Sequence, residues 1–317
     1  MEPDDYNTRA LAPDVLLWHY TNFKGLQGIL RGGVWASSAP YLNDTQEFHH
    51  GVTIALEVLQ QELEAALRDH ELRDNQQYAS IIYRLVVSFF GGPQFREYKP
   101  HYDVFVASLS TRADDLGQWR AYGGGPAPMF SIGFNPEALE KKASETSFDL
   151  EEVKYRKNDI VPELRLALRA PIDQILETLS TSTGPPLLAP ESAARLVREL
   201  LTLAPLYKHE SFAAEQEWRL IRREGVLTRE PALRLQFRLS GSLVIPYLEM
   251  PLHAAAGEAD ISDMSDMGAS IQSPIASITI GPSPHPDELL YAVKEMTRSF
   301  GLLRVRIELS SVPFRNW

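Results

Sequence analysis

The stretch Leu16–Glu47 reads LLWHYTNFKGLQGILRGGVWASSAPYLNDTQE, and its reading decides the fold. An apolar run, Val15 to Trp18, delivers a polar triplet, His19-Tyr20-Thr21. A short helical pattern, the break Gly32-Gly33, a second apolar run and the polar cluster Asn43, Asp44 and Glu47 follow. Strand, helix, strand and polar loop return two sets of functional groups to one edge of a sheet. On a strand His19 and Thr21 share a face while Tyr20 takes the other, so two hydrogen-bonding side chains project together into a cleft. A satisfied structural histidine is the plainer alternative for His19. For Asn43 and Asp44 the plainer alternative is a cap on a helix beginning near Thr45, with Glu47 as its capping-box partner.

Downstream the hydrophobic period changes. Val52, Leu56, Leu59, Leu63 and Leu67 fall at helical spacing, and a second helix is expected over 75–90, stopped by Gly91-Gly92-Pro93. VFVASL, within Tyr102 to Leu109, is a strand pattern. Ser110, Thr111 and Asp114 offer caps for a short helix carrying Gln118, Trp119 and Tyr122, and MFSIGF (Met129 to Phe134) is the next strand. An edge strand is expected at Val153 to Arg156, and two helical pieces over 158–207 flank Gly184-Pro185-Pro186. Trp218 to Arg222 alternates like a strand, LRLQFRL and SLVIPYL suit an antiparallel pair, and ASITIGP, a helix over 286–300 and LRVRIEL close the chain. Helices inserted between irregularly alternating strands predict an α+β fold. The expected organisation is one domain over residues 1–317, with helical insertions at about 45–92 and 158–207.

The formal charge is -11, which repels polyanions and disfavours broad non-specific nucleic-acid binding. The chain has no cysteine, which removes disulfides, thiolate nucleophiles and cysteine metal sites and points to a reducing cytoplasm. The opening MEPDDYNTRALAPD lacks the basic start and apolar core of a signal peptide. No apolar run approaches the roughly 20 residues of a membrane span, so no membrane partner is expected.

No G-x-x-x-x-G-K-[ST], strand-linked G-x-G-x-x-G, H-E-x-x-H or G-x-S-x-G occurs. Gly123 to Gly125 reads as a turn. His49 and His50, adjacent on a helix, point in different directions. Asp260, Asp263 and Asp266 lack the ligand order of a calcium loop, and no metal site is assigned. In Glu215-Gln216-Glu217-Trp218-Arg219, two carboxylates two apart on a strand share a face that Arg219 continues. That row is either a charge ladder on an edge strand or a catalytic carboxylate tuned by a neighbouring acid and a cation. Trp119 and Tyr122 offer an aromatic wall, with a core role as the alternative for Trp119.

The order LWHYT, LND with Glu47, SLS (Ser108 to Ser110), QWRAYG, SIGF, the lysine before EQEWR, TIGP and SSVPFR resembles a widespread bacterial family of unknown function, over nearly the whole chain. That family more remotely resembles the ADP-ribosyltransferase superfamily. The resemblance implies a split mixed/antiparallel sheet with helical insertions, and NAD as the substrate. It implies that His19 and Thr21 hold NAD, as in the DNA-targeting toxin branch whose opening also reads His-x-Thr. Glu217 matches the glutamate that orders the nicotinamide ribose, and Glu215 completes an E-x-E pair. Tyr122 is the candidate for the aromatic on nicotinamide, with Tyr20 and Tyr41 as substitutes.

The expected catalytic residues are therefore Glu217, Glu215 and His19. The expected nucleotide contacts are His19, Tyr20, Thr21, Asn43, Trp119, Arg120, Tyr122 and Arg219, with Arg219 or Arg120 on the pyrophosphate. The implied function is an ADP-ribosyltransferase-like or NAD-hydrolysing enzyme in a toxin or phage-defence setting, acting on an unidentified macromolecular acceptor. Two other classes stand beside it: a metal-dependent nuclease or phosphoesterase on Asp44, Glu47, Glu215 and Glu217, and a non-enzymatic nucleotide-binding module.

Overall fold

In a computed structural model of the chain, residues 15–42, 45–69, 80–84, 86–87, 103–122, 127–181, 190–224, 233–253 and 273–313 are described. The apolar run forms β1, Leu17–Asn22. Asn22 ends it in extended backbone, and its side chain accepts the Gly25 N–H at 3.1 Å to cap α1, Phe23–Arg31. Leu26, Ile29 and Leu30, at helical spacing, bury one face of α1. The helix lies close on the strands because two of its residues are glycines. A Cβ at Gly25 would fall 1.9 Å from Thr21 Oγ1, and one at Gly28 would fall 2.3 Å from the Trp35 ring. The chain then enters β2, Gly33–Ser38.

Helix α2 is Thr45–Asp69, and residues 80–84 and 86–87 of the expected second helix are helical as well. Then come β3 (Asp103–Ser110), α3 (Leu116–Tyr122), β4 (Met129–Phe134), α4 (Pro136–Glu145) and β5 (Asp149–Glu152). Helices α5 (Lys157–Thr181) and α6 (Pro190–Leu203) precede two 3₁₀ turns, Ala204–Leu206 and Glu210–Glu215. The remainder is β6 (Glu217–Glu224), β7 (Gln236–Ser240), β8 (Leu243–Pro251), β9 (Ile275–Ile280), α7 (Pro286–Ser299) and β10 (Arg306–Leu309). The edge strand expected at Val153 to Arg156 lies earlier in the chain. Ser147, at φ 56, turns the backbone straight after α4, so pairing begins at Asp149, and of the expected span Lys154 makes a lone bridge to Tyr207.

The fold is α+β, built on an open mixed sheet with helices. The strands run β10-β9-β4-β1-β3-β2-β8-β7, with β6 on β3 and β5 on β6. Among the described strand pairs β9–β10 is parallel and the rest are antiparallel, as the closing strand-helix-strand pattern requires. Strand β6 pairs with β3 along its full length, so β1 and β2 must share the other edge of β3. Strand β1 takes the end, with Trp18 opposite Ser110, and β2 takes the middle, with Ser37 and Ser38 opposite Val106 and Phe105. Beyond these short pairings β1 follows β4 and β2 follows β8, and the sheet forks.

Alternation on β3 and β6 divides the core. Val104, Val106 and Ile221 face the layer of α2, α5 and α6, while Phe105, Ala107, Leu109 and Leu220 face α1 and its neighbours. Ser108, Ser110, Glu217 and Arg219 continue the first of these faces to the end of the strands, where the fork opens.

Candidate functional site

A cleft of about 580 Å³ occupies the fork. His19, Thr21, Ser37, Ser108, Gln118, Glu215, Glu217 and Arg238 are among its lining residues. It takes residues from both sheet faces because the parting of β1 and β2 leaves a way through the plane. Its volume lies within the roughly 300–1,000 Å³ of small-ligand sites.

Glu217, the first residue of β6, is 4% exposed. Arg219 Nε donates to its Oε1 at 2.6 Å, Arg219 Nη2 donates to Oε2 at 3.0 Å, and Lys208 Nζ reaches Oε2 at 3.1 Å. Burial alone would push this carboxyl up. The Arg219 charge and hydrogen bonds, then the Lys208 charge and the Ser108 hydroxyl, outweigh it and bring the group down to about 2. Glu217 is thus a buried anion with two cations around it. Its backbone N–H donates to the Tyr155 hydroxyl at 2.8 Å, which fixes where the strand starts.

Glu215 reaches the same place by another route than strand alternation. It ends a 3₁₀ turn, and Gln216, in left-handed backbone at φ 45 and ψ 54, breaks the register before β6 begins. The two carboxylates converge instead on one ammonium: Lys208 Nζ lies 2.6 Å from Glu215 Oε2 and 4.8 Å above the Phe212 ring. The Ser110 hydroxyl, donating to the Glu215 carbonyl at 2.6 Å, fastens this segment to β3.

His19 occupies the throat of the fork. Its Nδ1 lies 2.9 Å from the carbonyl of Ser108, a ladder acceptor that the parting of β1 and β2 exposes. A carbonyl only accepts, so Nδ1 carries the proton. Burial lowers the imidazole pKa, the Ser108 carbonyl opposes this, and the charge of Arg238 adds to the lowering. The neutral ring then carries its lone pair on Nε2. Thr21 lines the same cleft, against Gly25 of α1.

Other expected contacts have different places. Tyr20 lines the cleft, but its hydroxyl donates to the Arg112 carbonyl at 2.7 Å and accepts the Asp115 N–H at 3.1 Å, and burial pushes its phenol up to about 12. Trp119 is not a cleft residue. It is buried edge-on against Tyr20 at 4.8 Å, with Nε1 donating to Asp114 at 2.7 Å, because the apolar ring fills the space between α3 and β1. On α3 the residues facing the cleft are Gln118 and Ala121, three apart, and helical geometry turns the exposed Arg120 away from it. Arg219 is 2% exposed and spent on Glu217 and the Pro205 carbonyl, so it holds a carboxylate where a pyrophosphate contact was expected. Tyr41 lines the cleft. Asn43, Asp44 and the side chains of Glu47 and Tyr122 lie outside the described residues.

Beyond the place of Lys208 in the motif series, neither Lys208 nor Arg238 carries a signal in the sequence. Lys208 precedes a turn and not a strand, so no periodicity marks it. Arg238 sits in LRLQFRL, where it reads as one more alternating polar position. Among the described residues no group of three or more histidines, aspartates or glutamates is placed to hold a metal ion. No helix among them is long and apolar enough to cross a membrane.

Residues 118–220 match a family model described as Protein of unknown function (DUF2971). The match spans about a third of the chain. The matched stretch runs from α3 into β6 and carries Gln118, Lys208, Glu215, Glu217 and Arg219, while His19 and Arg238 fall outside it. The kinship with a family of unknown function expected from the motif order agrees with this match. No curated protein and no solved structure matches the chain.

Proposed function

We propose that this chain is an ADP-ribosyltransferase-like enzyme that uses NAD in the forked cleft, transferring ADP-ribose to a macromolecular acceptor or, without one, to water. One observation carries the reading: a buried carboxylate, Glu217, is held by Arg219 and Lys208 at the start of β6, in a cleft whose throat holds His19. The forked sheet agrees with the split sheet of that superfamily.

The residues fit the ligand. A fixed carboxylate accepts hydrogen bonds from a ribose hydroxyl, and the His19 Nε2 lone pair with the Thr21 hydroxyl offers an acceptor and a donor to a carboxamide or a second ribose. Breaking the bond between nicotinamide nitrogen and ribose C1′ leaves positive charge on the sugar and takes the electron pair out with nicotinamide. Glu217, preorganised by Arg219 and Lys208, stabilises that charge as it develops. The acceptor's oxygen or nitrogen then bonds C1′, and its proton passes to Glu215, whose carboxylate is a third exposed.

The engagement of both Glu217 oxygens by cations favours one other reading, a nucleotide-binding module without turnover. The two separate in one experiment. Purified protein incubated with NAD, alone and with cell extract, is expected to release nicotinamide, and Glu217→Gln to lose release while keeping an NAD-dependent thermal shift. A thermal shift without release in the wild type selects the binding module. Neither shift nor release sinks both.

A further inference from the structure

The wall of the cleft formed by β2 and β7 carries a cation, Arg238, that is paired with no carboxylate among the described residues. Arg238 Nε and Trp35 Nε1 are both buried and neither has a hydrogen-bond partner among the described residues, although both side chains line the cleft. Both atoms are enclosed, so neither N–H faces the open cleft, and Arg238 meets it through the rest of its half-buried side chain. Arg238 Nη2 donates to Ser37 Oγ at 3.0 Å, which fixes the guanidinium. Among the described residues no carboxylate lies within ion-pair reach of Arg238, and its charge is felt at His19. The other cations of the cleft are differently placed: Lys208 and Arg219 hold Glu215 and Glu217, and Lys24 is exposed.

We propose that Arg238 is the anion anchor of the cleft and takes the diphosphate of its ligand. A guanidinium fixed by Ser37, with no carboxylate on it among the described residues, suits an oxyanion, and its planar fork of donors matches phosphate oxygens. This rests on the dinucleotide reading of the cleft and deepens it: the ligand spans from the carboxylate, at Glu217, to the cation, at Arg238. The anchor thus lies on a late strand, β7, and not on β1.

Calorimetric titration of the full chain with sodium pyrophosphate and with ADP-ribose tests this. Wild type is expected to bind both, pyrophosphate the more weakly. Arg238→Gln is expected to weaken both by roughly 10- to 100-fold, the range of a charge-assisted hydrogen bond. Arg238→Lys, which keeps the charge and loses the fork, is expected to fall between, and its unliganded melting curve controls for folding. Equal binding by Arg238→Gln, or binding of neither ligand by wild type, overturns the anchor. Arg238-dependent pyrophosphate binding in a protein that neither binds nor cleaves NAD supports the anchor and overturns the transferase reading. NAD cleavage with an unchanged KM in Arg238→Gln overturns the anchor alone.

Discussion

A carboxylate this deeply buried keeps its charge only through partners, and Glu217 depends on Arg219 and Lys208 for it. The linkage to stability has a definite sign. The folded group titrates near 2 and an unfolded glutamate near 4.5, so the stabilisation is complete above about 4.5 and is lost as the pH falls toward 2. The difference corresponds to something on the order of 3 kcal/mol. Glu217→Gln is therefore expected to be less stable than wild type at neutral pH by about that amount and to show a flatter acid limb, measured by urea denaturation from pH 7 to pH 2. Parallel acid limbs in the two proteins would show that the charge is not what Arg219 and Lys208 hold. His19 has its own window. Its imidazole titrates below 6.5, so stability falls as the pH drops below that value and the unfolded state takes up the proton first. An NMR titration of the ring should find Nδ1 protonated and Nε2 bare at pH 7.

Two elements seat the cleft walls. Helix α1 lies against β1 and β2 through glycines, and a methyl group at Gly25 would meet Thr21 Oγ1 at 1.9 Å. Gly25→Ala is expected to cost roughly 1–3 kcal/mol as overpacking. Thr21→Ala should recover much of that loss in the double variant, a coupling that a denaturation cycle reads directly. Just before α3, outside the cleft lining, Asp114 gathers the Trp119 Nε1 donor, the Ser310 hydroxyl at 2.6 Å, and the Ser311 N–H and hydroxyl at 2.7 and 2.9 Å. Burial would raise this carboxyl, but the hydrogen bonds from Ser310, Trp119 and Ser311 hold it below the usual range. Asp114→Ala is expected to cost about 2 kcal/mol and to raise hydrogen exchange across 306–312 and α3.

These elements also show why the sequence was readable in some places and silent in others. Strand β1, the α1 stripe, the β7–β8 pair and the closing β9-α7-β10 unit carry strong periods over their own length, so local pattern suffices. The SLS, QWRAYG and SSVPFR motifs were visible as residues. That Asp114 ties the last to the second depends on contacts nearly two hundred positions apart. The facing of Glu215 turns on a local detail: one left-handed residue, Gln216, cancels the strand alternation that would set it. Trp119, Arg120 and Arg219 carry the right chemistry for a nucleotide, but Trp119 packs outside the cleft, Arg120 turns away from it, and Arg219 is held on Glu217 within it.

Across the whole molecule, the fork turns these parts into a site. One long strand pair, β3–β6, supports two diverging half-sheets, and the gap between them exposes the Ser108 carbonyl, the His19 ring and the Glu217 carboxylate to one volume. Composition made the surface charge legible, and it argues about partners: at -11 the chain is expected to show no tight binding of arbitrary duplex DNA in polarisation titrations at 0.15 M salt. Tight, sequence-independent binding would require a basic surface against that overall balance. The most direct measurement for the cleft itself is a crystal structure of Glu217→Gln soaked with NAD, a variant chosen to leave the dinucleotide intact. The expected electron density lies in the fork, with the nicotinamide ribose at residue 217, the diphosphate at Arg238 and His19 Nε2 facing the ligand. NAD bound elsewhere, or an empty fork at saturating NAD with the fold intact, would contradict it.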